Sequence, residues 1–172
     1  MATLAVAMPR VRSERSDAAM SYNSPVDLTL FRVSVWAIIV EGERVLLALR
    51  RDIDWWNLPG GGMEAGETVE QAIHREVLEE TGLEVEVERI TGVYSKPQKN
   101  EIALVMHCRV VKGQAQATEE ARECRYFASD DLPSNTLPKH RQRVEDALLN
   151  RPEAILRTQN TSTSEDQDLM LE

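Results

Sequence analysis

The chain has 172 residues, 42% apolar and 28% charged, enough for one domain core without disulfides or a structural metal. Its net charge of −9 disfavours a nucleic-acid binder, because a phosphate backbone would be repelled, but admits a small phosphorylated substrate carried in with a cation. No apolar run reaches about 18 residues, which speaks against a spanning helix, and Cys108 and Cys124 sit in no CxxC or Cys/His cluster, so reduced thiols in a cytoplasmic protein are expected rather than zinc.

Residues 1–25 mix Arg, Ser, Ala and Asp without periodicity and predict a disordered segment. The mildly apolar start is followed by Arg10, Arg12 and Arg15, the reverse of a secretory signal. Residues 31–40, with Val33, Val35, Ile38, Ile39 and Val40, predict a strand. Glu41-Gly42-Glu43 predicts a hairpin turn and residues 45–50 its partner. Residues 52–66 read as a loop rich in Gly and Trp, and residues 68–81 as a helix. Strands follow at 83–93, 102–111 and 125–127, then a closing helix at 138–149 with Val144, Ala147 and Leu148 on one stripe. From residue 151 the chain is polar and acidic and predicts a second disordered segment. Strands outnumbering helices, with helices left to cover faces, predict a single α/β sandwich domain over residues 26–150.

The helix at 68–81 has well-made ends. Thr68 and Gln71 form a capping-box pattern, and Gly82 stands where a left-handed cap favours glycine. Its apolar stripe, Val69, Ala72 and Ile73, runs into Glu76, Glu79 and Glu80 at spacings that share a face. Like charges so placed cost roughly 0.2–0.5 kcal/mol per pair, and anions in the last turn oppose the helix dipole. Arg75, four residues before Glu79, offsets part of this. A rule broken where the rest of the element is well specified points to a functional site. Carboxylate oxygens suit Mg²⁺ or Mn²⁺ rather than zinc. The preceding Pro59-Gly60-Gly61-Gly62 lets a backbone approach a ligand closely.

Gly61, five residues, Glu67, seven residues and Arg75-Glu76-Val77-Leu78-Glu79-Glu80-Thr81-Gly82-Leu83 together resemble the complete Nudix box, over 23 residues. The resemblance implies an α/β/α sandwich with a mixed central sheet, the box forming a loop, a helix and a loop. It implies Mg²⁺-dependent hydrolysis of a nucleoside diphosphate linked to another moiety, with Mn²⁺ as a substitute. Glu76, Glu79, Glu80 and the Gly60 carbonyl would bind metal, with Glu76 assisting the base. Glu67 and Arg75 would hold the loop and orient the carboxylates. The family often takes its general base from outside the box, which makes Glu119, Glu120 and Glu123 candidates, Glu120 foremost.

Pro97 lies near the position that marks ADP-ribose hydrolases of this family, which favours ADP-ribose or a nucleotide sugar over a (d)NTP. A non-catalytic nucleotide-binding sensor is the alternative of another class, and an isoprenyl diphosphate isomerase would need a catalytic cysteine. The expected partner is a small nucleotide, with no nucleic acid or membrane, bound by a monomer or homodimer. One of Trp55 and Trp56 is available to stack on a base, the other to pack beneath the loop. His74 is expected exposed, and His107 in a core or pocket wall. No Lys/Arg cluster near the box is visible that could neutralise a diphosphate in place of metal.

Overall fold

The structure is a computed structural model that describes residues 30–160. Its axis is β1 (Arg32–Glu41), which turns at Gly42 into β2 (Arg44–Arg50) as an antiparallel hairpin. Along its first eight residues β1 pairs parallel with β6 (Glu101–Lys112). Its other edge takes the short β4 (Gly60–Gly62) at Ser34–Trp36. Outward from β6 lies β5 (Glu84–Lys96), antiparallel, and then β8 (Ile155–Thr158), parallel to β5. The far side is built by β3 (Trp56–Asn57) and β7 (Ala121–Ala128) on β2.

Side chains alternate along a strand, so β1 serves two cores. Val35, Ala37 and Ile39 meet Ala72, Ile73 and Val77 of α1 (Val69–Thr81). Ile38, with Trp36 and Val40 beside it, faces Val144 and Ala147 of α2 (Pro138–Leu148). The result is an α/β/α sandwich around a mixed sheet. Each fully buried Ile or Leu here contributes roughly 1.5–3 kcal/mol. Among the described residues no helix is long and apolar enough to cross a membrane.

The ends of α1 follow from its sequence. Thr68 accepts the Gln71 N–H at 3.2 Å while Gln71 accepts the Thr68 N–H at 2.8 Å. Gly82 stops the helix at φ 74° and donates to the Leu78 carbonyl at 2.9 Å.

Three expectations need correction. The segment 52–66 is not wholly a loop, since it supplies β3 and β4. Glycines carry no apolar pattern, yet they are what lets this backbone pair closely with β1. A Cβ on Gly60 would stand 2.1 Å from the Val35 carbonyl oxygen, and Gly60 holds φ 141°. β7 is longer than the expected 125–127 because its pairing with β2 runs to Arg50. The chain after residue 151 is not disordered throughout, because β8 docks by polar anchors that composition does not reveal. Arg157 donates to Asp146 at 2.6 and 2.7 Å, and the Gln159 N–H donates to Ser95 at 2.9 Å. The expectation for 1–25 lies outside the described residues, and so does that for the tail beyond residue 160.

Candidate active site

The helix α1, the strand β4 and the turn before β7 meet at a cleft of about 630 Å³. Gly60–Gly62, Glu76, Glu80, Glu119 and Glu120 are among its lining residues. A Cβ at Gly61 would lie 2.6 Å from Glu76 Oε2, so a side chain there would displace the Glu76 carboxylate. Beneath the box, Arg75 ties the loop to the helix. Its Nε donates to Glu67 at 2.7 Å, and Nη2 to Glu67 at 3.0 Å and to the Gly62 carbonyl at 3.0 Å. Nη1 donates to Glu76 at 2.9 Å and to Glu79 at 3.2 Å. The Arg75 fork and the Glu64 N–H pull the Glu67 carboxyl down to about 2.

The carboxylates of α1 are not equivalent. Glu76 is 8% exposed, and burial raises its pKa in spite of Arg75. Glu80 Oε2 accepts the Gly60 N–H at 2.9 Å. Burial nevertheless pushes its carboxyl up to about 8, with the charges of Glu76 and Glu120 adding to the rise. Glu79 is exposed and held by Arg75, and does not line the cleft.

Glu119 and Glu120 arrive on a turn fastened to the same helix. The Thr118 hydroxyl donates to the Glu80 carbonyl at 3.3 Å and accepts the N–H groups of Glu120 and Ala121, each at 3.1 Å. Of the two, Glu120 is the one whose charge is felt at both Glu76 and Glu80. Glu123 does not line the cleft and pairs with Arg125.

Among the described residues no three acidic, histidine or thiol groups converge on one point at ligand distance. The donor set still fits a hard divalent cation. It is made of oxygen alone, and Arg75 forms ion pairs with Glu67, Glu76 and Glu79 but with neither Glu80 nor Glu120. A bound cation would relieve the repulsion and burial that lift Glu80.

The rest of the cleft lining was not visible in the sequence. Trp36, Lys96, Glu101 and His140 belong to it, from β1, β5, β6 and α2. Neither Trp55 nor Trp56 does; Trp56 is buried edge-on against Phe127, with ring centroids 4.8 Å apart. Contrary to the expectation from sequence, cationic side chains do cluster near the box. Arg32, Arg50, Arg51, Lys96, Lys99 and Lys139 all reach the cleft, brought together by the sheet from distant segments. His74 is exposed as expected, and His107 bonds Glu88 away from the cleft. Burial pushes both thiols up to about 12, and neither lines the cleft, so no nucleophilic cysteine serves it.

A glycine-backed carboxylate helix on a mixed α/β/α sheet defines a hydrolase of phosphoanhydrides. Residues 30–148 match the NUDIX domain, well over half of the chain, and the protein belongs to that family. It is 38% identical over 120 residues to a MutT-like protein of Streptomyces ambofaciens, covering 69% of this chain and 78% of the relative. It is also 38% identical over 108 residues to an ADP-ribose pyrophosphatase of Methanocaldococcus jannaschii, covering 59% of this chain and 64% of the relative. The crystal structure of a NUDIX hydrolase from Nitrosomonas europaea superposes with a TM-score of 0.69 at 25% identity, over 78% of this chain and 81% of that one.

Proposed function

We propose that the protein is a Mg²⁺-dependent pyrophosphohydrolase that cleaves the phosphoanhydride of a nucleoside diphosphate joined to a second moiety, with Mn²⁺ as a substitute. The observation that carries this reading is the oxygen-only group of Glu76, Glu80 and Glu120 beside Gly60 in a nucleotide-sized cleft. Glu76 and Glu80, the Gly60 carbonyl, and Glu79 once released from Arg75 would hold the cation. When bound, the cation neutralises the diphosphate and lowers the pKa of water. Glu120 accepts a proton from the attacking water, with Glu76 beside it. Water adds its oxygen to phosphorus as the P–O bond of the anhydride breaks, so two phosphate monoesters leave. Arg75 and Glu67 keep the loop and helix in register through this step. Arg50, Arg51 and Lys139 bring positive charge to the substrate phosphates.

A sugar-type second moiety is favoured over a (d)NTP, on the position of Pro97 and on the relative named an ADP-ribose pyrophosphatase. A non-catalytic sensor is disfavoured because the full carboxylate set is present. The test is a panel of nucleotide sugars, ADP-ribose and (d)NTPs with Mg²⁺, repeated after exhaustive chelation. Hydrolysis should vanish without metal and be highest, in kcat/KM, for a nucleoside diphosphate sugar. Full turnover in metal-free buffer would overturn the mechanism, and a higher kcat/KM for a (d)NTP would reverse the substrate choice.

A further inference from the structure

We propose that Lys96 and Glu101, braced by Ser34 and joined by His140, form a base-reading subsite selective for guanine. The proposal rests on the nucleotide reading of the cleft and narrows it, within the nucleoside diphosphate sugars, to a guanine nucleotide in place of ADP-ribose. Lys96 ends β5 and Glu101 opens β6, on either side of the one-turn 3₁₀ segment Pro97–Lys99. Both are largely buried, with side chains 8% and 12% exposed. Lys96 Nζ donates to Glu101 Oε1 at 2.7 Å, and the Ser34 hydroxyl donates to the same oxygen at 2.9 Å. The Trp36 indole N–H in turn donates to the Ser34 oxygen at 3.0 Å, so the chain of bonds starts at the cleft wall.

This bracing occupies Oε1 and leaves Oε2 with no hydrogen-bond partner among the described residues, with the charge of Arg32 acting on the same carboxylate. Lys96 likewise spends only one of its three donors there. His140 is 1% exposed, and its Nδ1 accepts the Leu58 N–H at 3.1 Å. A ring nitrogen that accepts is unprotonated, and burial beside Arg143 and Lys139 keeps the ring neutral, so Nε2 carries the hydrogen. Lys96, Glu101 and His140 all line the cleft, so its wall carries donor-bearing side chains together with one charged acceptor.

Guanine answers this pattern more fully than the other bases. Its N1–H and 2-amino group are adjacent donors for Glu101 Oε2. Its O6 and N7 are acceptors for Lys96 and the His140 Nε2–H. Adenine and cytosine offer one donor group next to a ring lone pair. Uracil turns two carbonyls toward the site around a single N–H, setting one of them against the carboxylate. A buried ionised acceptor left short of donors disfavours such ligands.

The experiment is calorimetric titration of the full chain with GMP, AMP, CMP and UMP in the presence of Mg²⁺. GMP should bind at least about tenfold tighter than the others. Glu101→Gln places an NH₂ donor or a neutral oxygen where Oε2 stood, and should bring the GMP to AMP ratio close to one. A wild-type protein that binds AMP as tightly as GMP overturns the proposal without use of any variant. A GMP preference that survives in Glu101→Gln does so as well, by leaving the pair a purely structural bond. Mononucleotide binding does not depend on hydrolysis, so failure of the panel above and failure of base selection remain separate results.

Discussion

Replacing Glu80 by Gln tests the central assignment, because the two roles of this carboxylate pull stability and activity in opposite directions. Without a cation its charge is buried, short of solvent and close to Glu76 and Glu120, which is why its carboxyl rises to about 8. A raised carboxylate pKa means that stability is intact below the ordinary value of about 4.5 and is lost as pH climbs toward 8. Gln keeps an oxygen for the Gly60 N–H and removes the charge. In chelator at pH 8 the variant should gain about 1–3 kcal/mol, or roughly 3–8 °C in Tm. The gain should shrink as pH falls toward 4.5. With Mg²⁺ at saturation, kcat should drop about 10²–10³-fold, since each tenfold is about 1.4 kcal/mol of barrier and the lost ligand charge is worth several. Calorimetry across pH and steady-state kinetics on the best substrate of the panel read both effects. A variant with wild-type turnover, or one less stable than wild type in chelator at pH 8, would refute the reasoning.

The remaining predictions follow the same geometry. Arg75→Lys loses the fork that spans Glu67, Gly62, Glu76 and Glu79, so kcat should fall about 10–100-fold with a modest loss of Tm; unchanged kinetics would show that the fork orients nothing. Glu120→Gln should cut kcat about 10²-fold while Glu123→Gln leaves it within about twofold, and the reverse order would move the general base. Gln159→Ala should raise KM about 5–10-fold with kcat nearly constant, because Gln159 holds Arg143, whose guanidinium lies 5.2 Å from the centroids of both Trp36 and Tyr94. A fall in Tm with KM unchanged would reduce Gln159 to a purely structural clamp.

The difference between what the sequence disclosed and what it withheld follows from the elements involved. Glu76, Glu79 and Glu80 share a face because a helix repeats every 3.6 residues, so their relation is written within five positions. Thr68, Gln71 and Gly82 act across one turn, and their bonds form as the spacing predicts. Glu67 and Arg75 are eight residues apart, and the intervening two turns of helix bring them to 2.7 Å. Where a contact is local, periodicity is sufficient to find it. Glu79 shows the limit of that rule, since facing Glu76 on the helix did not bring it into the cleft.

The remainder of the cleft lining is assembled by sheet pairing, and no local period encodes that. Arg32 comes beside Glu101 only because β1 and β6 run parallel in that register. His140 meets Trp36, with ring centroids 4.5 Å apart, only because α2 crosses the face of β1 that carries the even-numbered side chains. A one-residue slip of β1 would exchange Trp36 for Val35 or Ala37 at the cleft wall and bury Ser34's partner elsewhere. The carboxylate helix and the glycine turn therefore read directly from the chain, whereas the rest of the cleft lining comes together only through strand register.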